Sequence, residues 1–132
     1  MKETDRLRQH PEDRLAAPVS VLDLAERSAQ LKAEPHASVS GHRQIALFRN
    51  GPVTLVLFVF DEGGLMKEHH AEGPVTIHVL RGQIDVTVAD QTHSLTAGQL
   101  VGLAAGIPHT VHAPVASEML LSVCKTGAVR SP

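Results

Sequence analysis

Gly63-Gly64-Leu65-Met66-Lys67-Glu68-His69-His70-Ala71-Glu72-Gly73-Pro74 opens the stretch whose reading decides the fold. Val75-Thr76-Ile77-His78-Val79-Leu80-Arg81-Gly82 continues it. Gly98-Gln99-Leu100-Val101-Gly102-Leu103-Ala104-Ala105-Gly106-Ile107-Pro108-His109 carries it toward Ala113. Residues 75–80 alternate in the manner of a strand with one buried face, because successive side chains on a strand point to opposite sides. Glycines bracket each apolar run, and a Gly-x-x-His turn closes the second.

The same rhythm extends outward. Residues 44–49 and 53–60 read as strands joined at Asn50-Gly51, a strong hairpin signal. Residues 84–88, 92–95, 99–103, 110–113 and 119–124 complete the set. Turn signals recur about every eight to twelve residues, as in a sandwich or small barrel. No helix-length pattern follows Pro35. Before it, Val21, Leu24, Ala25, Ser28 and Leu31 recur at steps of three and four, which predicts a short amphipathic helix within residues 18–34. Ser20 or Asp23 caps its start and Pro35 stops it. This helix is expected outside the main body. It has too few Lys and Arg for a membrane-surface helix. The polar residues 1–17, interrupted by Pro11, read as a loosely docked arm. The expected organisation is therefore an arm and helix over residues 1–35 and one β domain over residues 36–132.

Composition narrows the function classes. A chain of 132 residues with 42% hydrophobic and 20% charged residues suits one soluble globular domain. The net charge of -2 leaves no basic field for nucleic acid, and residues 43–49 are too sparse in charge to form a basic stripe. Trp and Tyr are absent, and Phe48, Phe58 and Phe60 are the only aromatic residues. Stacking platforms for bases or sugars are therefore scarce. No apolar run approaches the roughly 18 residues that span a bilayer. The N-terminal residues lack a hydrophobic signal region, and one cysteine, Cys124, excludes an internal disulfide. A cytoplasmic location is the expectation, with Cys124 a packed small hydrophobe.

The quoted stretch resembles the cupin superfamily, jelly-roll barrels built around two motifs. The first motif runs Gly, five residues, His-x-His, three or four residues, Glu, six residues, Gly. Gly63 and His69 match its opening and Gly82 its close. The second runs Gly, five residues, Pro-x-Gly, two residues, His. Gly98, Gly106 and His109 match that spacing, with Ala104 where proline is usual. The resemblance covers roughly residues 43–124 and implies an all-β jelly-roll barrel with the N-terminal helix packed outside.

In metal-binding cupins the two histidines and the glutamate of the first motif, with the histidine of the second, are the ligands. Here the second histidine position is Ala71 and the glutamate position is Val75. His69 and His109 remain. A register shifted by one places Glu68 and His70 in the His-x-His slots instead. His69, His70 and His109, with Glu68 as a further candidate, are thus the metal-ligand candidates. On a regular strand His69 and His70 point to opposite faces, so they share one ion only if the segment 71–74 bulges. Zn, Fe, Ni or Mn would suit imidazole and carboxylate donors. The other reading is a barrel that has lost its metal site, with His109 a polar group at the mouth.

The remaining histidines look weaker. His78 alternates with Ile77 and Val79 and should face outward, and His112 should face away from His109. His93, His42 and His10 are expected at the solvated surface. Met66 and Met119 read as core, and Lys67 as solvated. No phosphate loop, no Gly-x-Ser-x-Gly elbow and no paired carboxylates stand out. Two readings follow. One is a small single-domain cupin that binds a small molecule or a weakly held metal ion, with no reaction assigned. The other is a metal-dependent oxygenase or isomerase using His69 or His70 with His109. Leu80, Leu120 and His78 would suit a homodimer face.

Overall fold

Residues 53–60 are apolar almost without interruption because this strand is buried on both faces. In the computed structural model of the chain, which describes residues 17–125, Phe58 and Phe60 enter one apolar cluster while Leu57 and Val59 enter another. The first cluster fills the space between two antiparallel sheets. The second lies beneath the helix.

The helix, α1 (Leu24–Lys32), precedes nine strands: β1 (His42–Asn50), β2 (Val53–Phe60), β3 (Gly64–His69), β4 (Val75–Arg81), β5 (Gln83–Val88), β6 (Gln91–Thr96), β7 (Leu100–Leu103), β8 (His109–Ala113) and β9 (Ser117–Cys124). One sheet has the order β1-β2-β9-β4-β7, the other β3-β8-β5-β6. Ile77, Val79, Ile84, Val86, Val111, Ala113 and Met119 interdigitate between them, each fully buried. This double-sheet barrel is the expected jelly-roll architecture, and the eight sequence-read strands all occur. β3 is the ninth: its exposed Leu65, Lys67 and Glu68 break the apolar signal.

α1 is shorter at its start than the periodicity suggests. Asp23, not Ser20, is the N-cap, and its carboxylate accepts from the Glu26 backbone N–H at 3.0 Å. Val21, counted on the apolar face, is instead 91% exposed. Leu31 is buried against Ile45, Leu47, Leu57 and Val59. Leu80 and Leu120 pack against the same cluster. Both are part-buried there, on β9, which adjoins β2, and on β4, the next strand in the sheet. Lys32 adds a tether, its Nζ lying 2.6 Å from the buried Glu118 carboxylate on β9.

The open face of the other sheet is polar. Gln83 Nε2 donates to Asp85 Oδ1, and Thr87 bonds Thr92 across β5 and β6. No helix among the described residues is long and apolar enough to cross a membrane. The expected arm over residues 1–17 lies, but for its last residue, outside the described residues.

Candidate functional site

The site forms where β3 meets β8, and its geometry depends on one irregularity. Met66 pairs with Val111, and the next pair is His69 with His109. Three steps on β3 therefore match two on β8. The extra residue is a β-bulge at Lys67 and Glu68, and a bulge reverses the side-chain alternation of the strand that carries it. Met66 and His69 consequently lie on the same side, although three residues apart. Without the bulge, Met66 would share its face with Glu68 and His70.

This fixes the histidine choice that alternation left open. His69 is half-buried and its ring centroid lies 4.5 Å from that of His109, with the planes inclined at 58°. His70 and Glu68 are exposed. His69 and His109 come together; His70 and Glu68 do not join them as a cluster, and no group of three His, Cys, Asp or Glu residues among the described residues is arranged to hold a metal ion. The bulge lies at 67–68, not at 71–74.

His109 is held from the turn that precedes it. Gly106 adopts φ +79°, a left-handed conformation that glycine enters without Cβ strain, and its N–H donates to the Ala71 carbonyl at 2.9 Å. The turn brings the Ile107 carbonyl within 3.0 Å of His109 Nδ1. A carbonyl only accepts, so Nδ1 carries the proton, and in the neutral ring Nε2 presents a lone pair. That Nε2 is buried with no hydrogen-bond partner, on a residue only 1% exposed. His69 Nδ1 sits 3.4 Å from the Lys67 carbonyl, a longer contact with the same polarity. Both rings therefore offer Nε2 as an acceptor.

Burial lowers the His69 pKa below its ordinary 6.5, the neighbouring His109 adds to this, and His70 contributes less; the Lys67 carbonyl opposes them. His69 is thereby favoured neutral, the form that accepts a proton or binds a metal.

The other two family ligand positions are filled by apolar side chains. Ala71 packs against the core and Val75 is 3% exposed within it. The donors fit a site with two imidazole ligands. They do not fit the four-ligand set of the family motif.

Expectations for His78, His112 and Lys67 are met, and those for His42 and His93 are corrected. His78 lies between the buried Ile77 and Val79 and pairs with Leu100 and Leu120, away from the interior. His112 is exposed, with Nδ1 3.9 Å from Asp85. Lys67 is exposed. His42, expected in solvent, is half-buried with its ring 5.6 Å from Phe58 and 5.4 Å from Phe60. Its Nδ1 lies 3.2 Å from the Leu65 carbonyl. The signal missed was its position as first residue of β1, opposite Phe60. His93, also expected in solvent, is half-buried on β6 opposite Val86. His10 lies outside the described residues.

A two-sheet β-barrel with histidines facing each other across β3 and β8 defines the cupin class of fold. The family profile of the cupin domain matches residues 56–124, and the chain belongs to that family. A conserved protein of unknown function from Streptococcus pyogenes superposes with a TM-score of 0.65 at 26% identity, covering 83% of this chain and 90% of its own. A cupin superfamily protein from Desulfitobacterium hafniense gives 0.66 at 19% identity, covering 85% and 95%. A polyketide cyclase from Streptomyces resistomycificus gives 0.58 at 18% identity, covering 64% and 65%. The comparison with curated proteins gives no match.

Proposed function

We propose that this cupin binds a small molecule in its barrel at the His69–His109 pair, and that a divalent transition metal, when taken up there, is weakly held. One observation carries the reading: His109 Nε2 is a buried acceptor without a partner. Burying an acceptor unpaired costs about 1–3 kcal/mol, and a donor or a metal ion that reaches it removes that cost. The orientation of both rings supports the reading, since metal-binding imidazoles commonly donate their other N–H to a carbonyl. Two imidazoles are one short of the usual three protein ligands of a catalytic zinc site. This favours ligand binding over the oxygenase or isomerase reading, in which the metal would supply Lewis-acid or oxygen-activating chemistry.

In this reading residues 36–132 form the single barrel domain, with α1 as its outer cover. The lone thiol of Cys124 suits a reducing cytoplasm. A homodimer through Leu80, Leu120 and His78 belongs to this reading, and elution at the monomer's size counts against it.

The test is 15N NMR of the histidine rings in full-length protein during titration with Zn²⁺, Ni²⁺, Mn²⁺ and Fe²⁺, beside elemental analysis of untagged protein. The expected result is substoichiometric metal as purified and saturable changes at both Nε2 atoms, absent in His109→Gln. Unresponsive Nε2 resonances overturn the site. Stoichiometric tightly held metal overturns the weak binding.

A further inference from the structure

The His69–His109 pair sits at an end of the barrel whose walls are aliphatic. Met66 lies on the same side of β3 as His69. On β5, Val88 follows Thr87, which pairs with Thr110, so Val88 stands across from His109. Val123 of β9 pairs with Val75, the first residue of β4. Met66, Ala71, Val88 and Val123 are partly buried against the interior cluster. The charged side chains nearest in sequence, Lys67, Glu68 and Glu72, are exposed. Glu118, the buried charged residue among those described, lies with Lys32 and Arg81 instead. The interior rings of Phe58 and Phe60 are buried and packed against His42.

Both histidines turn Nδ1–H toward a carbonyl and so present acceptors. His69 is the one a ligand meets, since it is half-buried whereas His109 is 1% exposed. An acceptor among methyl and methylene groups selects a molecule with a polar hydrogen and an aliphatic body. A carboxylate brings only acceptors, and an ammonium ion would lose hydration without a carboxylate to replace it.

We propose, on the reading of the pair as a binding site, that its ligand is a neutral aliphatic alcohol: the hydroxyl donates to His69 Nε2, and the hydrocarbon lies against Met66, Ala71, Val88 and Val123.

The experiment uses full-length protein labelled with 15N in the histidine rings and 13C in the methionine methyl groups, at about pH 8, where both rings are neutral. It is titrated with 1-butanol and, as probes of similar size, methyl propyl ether, sodium butyrate and n-butylammonium chloride. 1-Butanol should shift His69 Nε2 and the Met66 methyl saturably. It should bind about threefold to tenfold more tightly than the ether, the contribution of one neutral hydrogen bond. Both ions should bind more weakly still. In His69→Phe the preference for the alcohol over the ether, read at the Met66 methyl, should vanish. Val88→Ala keeps His69 but thins the wall, and should weaken alcohol and ether alike. Equal affinity of the parent for alcohol and ether overturns the hydrogen bond, as does undiminished alcohol binding in both variants. Tighter binding of butyrate or butylammonium overturns the ligand class and leaves the binding site standing. If no probe moves His69 but Zn²⁺ does, the alcohol proposal fails alone; if Zn²⁺ also leaves it unmoved, the reading of the pair fails with it.

Discussion

β2 and β9 pair without a break over eight residues, from Val53 with Cys124 to Phe60 with Ser117. β3 and β8 pair for three residues, slip at a bulge, and resume with His69 and His109. The regular ladder lies in the middle of a sheet, with the packed interior on one side and the helix cluster on the other. The interrupted one carries the histidine pair. A bulge breaks the ladder locally and re-aims a side chain, which makes it suited to a site and poorly suited to a core. The core therefore draws on the regular pairing, and the site on the exception.

The largest contrast should appear in stability. Met119→Ala on β9 removes a fully buried side chain, and should lower unfolding free energy by about 2–5 kcal/mol in urea titrations. A loss below about 1 kcal/mol would mean that the interior collapses around the gap. On the bulged pair, His109→Leu should behave oppositely. It loses the Nδ1 hydrogen bond to Ile107 but also the orphaned Nε2, so its unfolding free energy should stay within about 1 kcal/mol of the parent. Metal-induced changes at His69 should nevertheless disappear. A large destabilisation by His109→Leu would make His109 a structural residue and erase the contrast.

Acid should separate the two regions next. The His69 pKa is lowered in the folded protein, so below about 6.5 the unfolded chain binds more protons than the folded one. The stability contributed by neutral His69 is present above the unfolded value and declines as pH falls through 6.5 toward the lower folded pKa. Urea midpoints should fall between pH 7.5 and 5.5, and less steeply in His69→Gln. Identical slopes would remove His69 as a source. The smallest effect should be Lys32→Ala, which takes from Glu118 a partner that is itself half exposed. Arg81 stays 3.6 Å from Glu118, and a loss of about 1 kcal/mol or less is expected.

Much of this molecule is legible without coordinates. Alternation in residues 75–80, the Asn50-Gly51 turn and the spacing of Gly98, Gly106 and His109 are local patterns, and each is realised as read. The spacing from Gly63 put His69 in one register of the motif and His70 in the other, and left the choice between them open. The helix start was less legible, since Ser20 and Asp23 are both able caps. Solvent exposure of His42 was misread because a polar neighbourhood in sequence says nothing about the Phe58 and Phe60 rings across the strand pair.

The sequence by itself determined eight of the nine strands and the turns between them, and the resemblance supplied the barrel and the stretch of the candidate site. Tertiary structure decided that His69 rather than His70 meets His109, that Leu80 and Leu120 pack against the cluster around Leu31, and that Arg43 is left with a buried donor. The physical reason is one of range. Alternation and turn preference act between neighbours along the chain. Side-chain parity beyond a bulge, and the covering of a sheet face, depend on which strand or helix arrives from elsewhere.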